Sequence, residues 1–213
     1  MFHDRREAGK LLVPKVTALN LERPIIIAIP RGGIVVAADL ATELDSPLFV
    51  VLTRKLGAPM NPEYAIGAVA PDGTVELNDY VVQELDIAEV TLKSMIEATR
   101  HDIQNRSQIY GTYAILPDLR DRNIILVDDG IATGYTTRVA ITYLRSKYPK
   151  SITLAVPVLP KDRVDAFSLY ADNLVYLKAP EFFAAVGQFY RDFPQVTHEE
   201  VLSLLRTLNS PTE

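Results

Sequence analysis

The stretch that most constrains this chain is IILVDDGIATGYTT, residues 124–137. Four consecutive apolar residues, with no polar alternation, read as a strand covered on both faces, and therefore central in a parallel sheet. Two carboxylates, Asp128 and Asp129, end that strand, at the edge where open α/β sheets bind ligands. Gly130 and Gly134, with Thr136 and Thr137, then let the backbone turn tightly and start a helix. The main-chain N–H groups at such a start form an anion site that hydroxyls supplement. Acids beside an anion cradle fit a sugar phosphate, with the acids taking its diol or a metal.

The rest of the pattern alternates strand and helix. Residues 25–29 read as a buried strand, Pro30-Arg31-Gly32-Gly33 as a turn, and 34–44 as a helix. A right-handed crossover then leads to a strand at 48–53. Upstream, 4–20 read as an amphipathic helix with Leu11, Leu12, Val16 and Leu19 on one side, kinked or restarted at Pro14. Segments 64–70 and 74–77 flank Asp72-Gly73, a hairpin signal. Asp86-Ile-Ala-Glu89 has the form of a capping box, and its helix extends to about Tyr110 with a surface polar enough to cover an edge or form a lid. A helix over 136–147, strands at 152–158 and 174–177 with a helix at 161–170 between them, and a terminal helix opened by the capping box Thr197-His-Glu-Glu200 complete the chain. There is no internal repeat or linker, so 1–213 reads as a single α/β domain.

Composition narrows the function classes. The 213 residues, 48% of them hydrophobic, can bury a sizeable core. A net charge of −5 gives no general pull towards nucleic acid or acidic membranes, so any phosphate site must be local. The absence of cysteine removes thiolate chemistry and fits a reducing cytoplasm. The charged N-terminal MFHDRREAGK has no signal-peptide core, and no apolar run approaches the roughly 20 residues of a membrane span. The expectation is a soluble cytoplasmic protein without nucleic-acid or membrane partners. His3, His101 and His198 are scattered without ligand spacing, which argues against a histidine metal site.

Three other uses of a strand-end acid pair fail. Haloacid-dehalogenase-type phosphatases need two Asp one residue apart, but Val127 stands two before Asp129. Receiver domains carry their acid pair on the first strand, whereas this pair lies past mid-chain. The P-loop pattern G-x-x-x-x-G-K-[ST] is absent. What fits is a resemblance to the type I phosphoribosyltransferases, whose signature runs through IILV, Asp128-Asp129, Gly130-Ile131 and Ala132-Thr133-Gly134-Tyr135-Thr136-Thr137. Tyr135 departs from the second glycine common in that family. The stretch RKLGAPMNPEYAIGAVA, residues 54–70, further resembles a subgroup of phosphoribosyltransferases.

The resemblance implies a twisted, mainly parallel sheet flanked by helices, with a helical insert at about 56–115 and a C-terminal hood at about 178–213. It implies that Asp128 and Asp129 hold the ribose hydroxyls of phosphoribosyl pyrophosphate and, through water, a magnesium ion. Ala132, Thr133, Gly134, Tyr135, Thr136 and Thr137 would enclose the 5-phosphate. Arg31, Gly32 and Gly33 would receive pyrophosphate, with the Arg31–Gly32 amides exposed through a strained or cis peptide. Arg54 and Lys55, read as ending the second strand, would assist. The hood would supply the acceptor pocket, with Phe189 or Tyr190 stacking a base. The implied reaction is transfer of 5-phosphoribose to a nitrogenous acceptor, a nucleobase, by a magnesium-dependent enzyme. The alternative is a regulatory module that binds phosphoribosyl pyrophosphate or a nucleotide without turnover. Relatives often pair, and the N-terminal segment and the 86–110 helix are candidate faces for a homodimer.

Overall fold

The computed structural model describes residues 1–209. In chain order the elements are α1 (Arg5–Thr17), β1 (Ile25–Ala28), α2 (Gly32–Glu43), β2 (Leu48–Val50), β3 (Arg54–Ala58), β4 (Asn61–Val69), β5 (Val75–Leu77), α3 (Asp79–Glu84), α4 (Glu89–Tyr110), β6 (Asn123–Val127), α5 (Tyr135–Arg145), β7 (Ser151–Val158), α6 (Val164–Tyr170), β8 (Asn173–Lys178) and α7 (His198–Leu208). Five strands form a wholly parallel sheet in the order β2-β1-β6-β7-β8.

The uninterrupted apolar runs of β1 and β6 follow from burial on both faces. Side chains alternate across a strand, so Ile26, Ala28, Ile125 and Val127 join one core with Leu12, Val16, Leu40 and Leu205 of α1, α2 and α7. Ile25, Ile27, Ile124 and Leu126 join the other, with Ile141 and Leu144 of α5 and Phe167 of α6. Strand order reverses between β1 and β6, so their C-terminal ends flank the crevice where such sheets take ligands.

A second, antiparallel sheet of β3, β4 and β5 sits beside this layer, and α4 packs on it. It changes one expectation. β2 stops at Val50, and Arg54 and Lys55 open β3 instead of ending the second strand. The Gly- and Pro-containing stretch 56–63 is part of a paired hairpin; Gly57 lets the arms close, since a Cβ there would lie 2.2 Å from Pro62 O. The expected hairpin about Asp72-Gly73 is present as β4 and β5.

Three local expectations also shift. Pro14 does not break α1, because it and Lys10, whose carbonyl it leaves unpaired, both face solvent. Leu11 is exposed, while Ala8, Leu12 and Val16 form the buried stripe. Asp86 does not cap α4: Asn78 opens the unforeseen α3, Asp86 ends its final turn at φ 46°, and Ala88 caps α4. The second capping box forms as read, with Thr197 Oγ1 accepting from Glu200 N–H (3.1 Å) and Glu200 Oε2 accepting from Thr197 N–H (2.7 Å). Among the described residues no helix is long and apolar enough to cross a membrane. Residues 210–213 of the expected hood lie outside the described residues.

Candidate active site

A cleft of about 560 Å³ opens over the C-terminal ends of β1 and β6. Asp128 and Asp129 lie at its floor, carried by the loop that leaves β6. Asp128 Oδ1 accepts the N–H of Asp129 (2.8 Å), which orients the first carboxylate. Asp129 Oδ2 accepts from Arg5 Nε at 2.7 Å. Oδ2 of Asp128 and Oδ1 of Asp129 take no part in these bonds. Burial raises the Asp128 carboxyl well above the usual carboxylate range, and the charge on Asp129 adds to the rise. Burial also raises Asp129, with Arg5 opposing it.

The turn after β1 packs directly on this pair. The Pro30–Arg31 peptide is cis, one bond before the place expected. Arg31 caps α2 through its backbone alone, and the amides of Gly32 and Gly33 open that helix without a preceding carbonyl to bond. Gly32 is demanded by close approach: a Cβ there would lie 1.8 Å from Asp129 Oδ2. Arg31 and Gly32 line the cleft; Gly33 stands behind them against the Asp128 backbone.

The loop after the acids leads into α5. Gly134 adopts φ 84°, a left-handed conformation that favours glycine, and a Cβ there would sit 2.7 Å from the Phe167 ring. The first helical bond runs from Arg138 N–H to Gly134 O (2.8 Å), so the amides of Tyr135, Thr136 and Thr137 precede the ladder. Ala132 and Thr133 are exposed at the loop tip, and Thr136 lines the cleft. Thr137 has its side chain buried, and Tyr135 turns outward against Ala68, Ala70 and Val139.

Four predicted residues lie elsewhere. Arg54 pairs with Asp102 of α4 (2.8 Å), and Lys55 donates to Glu63 O (2.7 Å); neither lines the cleft, although Thr53 does. The shift follows from β3 belonging to the second sheet. Tyr190 is 4% exposed, tilted on Phe2 and Phe193, so its ring is closed to a ligand. Its hydroxyl donates to the main-chain oxygen of Asp129 (2.5 Å), and burial raises its pKa, which keeps that proton in place. Phe189 packs on Phe183. The hood residues at the cleft are instead Val186, Phe193, Pro194, Gln195 and Val196.

Arg5 had no signal in the sequence, since its partner lies 124 positions away. The N-terminal segment reaches the site by pairing with the hood: Phe2 N–H donates to Phe189 O (2.7 Å), and Arg191 N–H to Phe2 O (2.8 Å).

Among the described residues no group of three or more His, Cys, Asp and Glu side chains could hold a metal. The two hard carboxylates nonetheless suit magnesium, which keeps several waters and is bound through one or two carboxylates plus substrate oxygens.

Residues 5–194 match the phosphoribosyl transferase domain family. The chain belongs to that family. As a phosphoribosyl transferase domain it is 37% identical over 205 residues to "Putative phosphoribosyl transferase MT0597" of Mycobacterium tuberculosis, covering 96% of this chain and 46% of that protein. The chain thus spans about half the length of that curated relative. Its fold matches the crystal structure of TT1426 from Thermus thermophilus with a TM-score of 0.82 and 37% identity, over 98% of this chain and 99% of the other. A shorter match of 29% identity over 83 residues, 37% of this chain and 47% of the relative, joins it to a hypoxanthine-guanine phosphoribosyltransferase of Mycoplasma genitalium.

Proposed function

We propose that this domain transfers 5-phosphoribose from phosphoribosyl pyrophosphate to a nitrogenous acceptor, a nucleobase, releasing pyrophosphate in a magnesium-dependent reaction. The observation that carries the reading is the convergence of one acid pair with two helix starts. Asp128 and Asp129 end β6, the opening of α2 packs against Asp129, and the same acid-bearing loop runs on into α5. Phosphoribosyl pyrophosphate presents one diol between two anionic ends, which is the arrangement of these three features.

In this reading the amides of residues 134–137 take the 5-phosphate and the opening of α2 takes pyrophosphate, with Arg31 supplying a cation in the cleft lining. Asp128 Oδ2 and Asp129 Oδ1 accept from the ribose hydroxyls. The acceptor nitrogen forms a bond to C1 as the C1–O bond to pyrophosphate breaks, with inversion; the electron pair leaves with pyrophosphate and the acceptor gives up a proton. Positive charge grows on the ribose ring as that bond lengthens, and carboxylates beside the ring favour it over the neutral ground state. Asp128 and Asp129 would hold a magnesium ion through water, and the ion would offset negative charge on the leaving pyrophosphate. Val186 offers an apolar wall for the base, in place of Phe189 and Tyr190, and the edge of Phe193, whose face Arg5 covers, adds to it. The hypoxanthine-guanine enzyme among the relatives supports a nucleobase as acceptor.

The test is pyrophosphate release from phosphoribosyl pyrophosphate with magnesium and a panel of purines and pyrimidines. Saturable release with at least one base supports the reading. Binding without release on every base overturns it in favour of a regulatory module.

A further inference from the structure

We infer that Arg5 is a positioning residue for the acid pair, holding the Asp129 carboxylate against the opening of α2 and locking the hood segment 193–196 to it. The inference rests on the assignment of Asp129 to the ribose given above. Arg5 engages three groups at once: Nε donates to Asp129 Oδ2 (2.7 Å), Nη1 donates to Pro194 O (2.8 Å), and the guanidinium lies 3.6 Å over the centre of the Phe193 ring. Only a planar group with directed donors and a stacking face can do all three, so lysine cannot replace it fully.

A role confined to anchoring α1 does not explain these contacts. That helix is already held by buried Ala8, Leu12 and Val16 and by the Asp4 cap, whose Oδ1 accepts from Glu7 N–H (2.8 Å). The segment before it is zipped to the hood by main-chain bonds at Phe2 and by Asp192 N–H to His3 O (2.8 Å). The side-chain bonds of Arg5 go to the cleft instead. They hold Oδ2 of Asp129 beside Gly32, and a Cβ at Gly32 would lie 2.8 Å from Arg5 Nε as well. Oδ1 is thereby left for the ligand. Arg5 and residues 194–196 also line a second cavity of about 380 Å³, so the guanidinium and its partners separate that space from the cleft.

The variants are Arg5→Met and Arg5→Lys, studied as crystals without ligand and in steady-state kinetics. In Arg5→Met crystals the expected result is an Asp129 carboxylate turned away from Gly32 and a displaced 193–196 segment; both remaining in place overturns the inference. Should Arg5→Met not fold, Arg5→Lys carries the same test, with the segment displaced and the carboxylate retained. In kinetics, Arg5→Met is expected to lose tenfold or more in kcat with KM for phosphoribosyl pyrophosphate changed less than threefold, and Arg5→Lys to fall between it and wild type. Unchanged kcat in folded Arg5→Met overturns the inference. Wild-type protein that fails to bind magnesium and phosphoribosyl pyrophosphate in calorimetry overturns the sugar-phosphate reading instead, and the crystallographic comparison still decides Arg5.

Discussion

Replacing Gly32 by alanine adds one methyl group at the tightest contact in the site. The new Cβ would lie 1.8 Å from Asp129 Oδ2, where ordinary contact begins near 3.4 Å, so the carboxylate must retreat by about 1.6 Å. Gly32 does not occupy the left-handed region, so the backbone itself accepts alanine, and helix propensity favours it by up to about 1 kcal/mol. Overpacking costs about 1–3 kcal/mol, leaving a net loss of about 0–3 kcal/mol. At this chain length that is a fall of up to about 12 °C in Tm. Activity should suffer far more, because displacing a group by about 1 Å from its productive position can cost about 100-fold in rate. Thermal unfolding and pyrophosphate release on the same preparation separate the two effects. Turnover at the wild-type rate in a folded Gly32→Ala protein would refute the placement of Asp129 at the reacting sugar.

Asp129→Asn, nearly isosteric, is expected to abolish at least 99% of pyrophosphate release, about 3 kcal/mol of transition-state stabilisation, with an unchanged far-ultraviolet spectrum; full activity would remove the acid pair from the mechanism. Tyr190→Phe deletes the bond to the Asp129 carbonyl and should lower stability by about 1–3 kcal/mol, read by urea unfolding, with an unaltered midpoint as the contrary result. Gly134→Ala forces a side chain into φ 84° and onto Phe167; about 1–2 kcal/mol of backbone strain plus the clash should weaken binding of ribose 5-phosphate in calorimetry, and equal affinity would count against the cradle. The Asp4 carboxyl is depressed chiefly by the Glu7 N–H, and the Glu200 carboxyl chiefly by the Thr197 N–H. Their stabilisation is therefore complete above the ordinary carboxylate pKa of about 4 and lost as pH falls through their lower folded values. Asp4→Ala with Glu200→Ala should flatten the acid limb of a Tm-against-pH profile, and an unchanged limb would contradict this.

What was legible in the sequence was local or periodic. The apolar runs of β1 and β6 could be read because burial on both faces leaves no polar alternation, and the Thr197 capping box because its bonds span three residues. The acids and both helix openings were likewise adjacent in sequence to the strands that carry them. Pairings across the chain were hidden. Nothing near Arg5 announces Asp129, and nothing near Arg54 announces Asp102. The hood aromatics show why composition alone misplaces a pocket: Tyr190 and Phe193 lie three residues apart, yet Tyr190 is buried behind the acid loop while Phe193 lines the cleft. β3 carries no strand pattern, because its five residues, RKLGA, include a charged pair and a glycine and are only partly buried.

A crystal structure with magnesium and phosphoribosyl pyrophosphate tests the central claim most directly. The account predicts the 5-phosphate within hydrogen-bond distance of the amides of 134–137, the ribose diol on Asp128 and Asp129, and the pyrophosphate against Arg31 and the opening of α2. A ligand bound away from the acid pair, or one with its 5-phosphate outside the loop that opens α5, would contradict it.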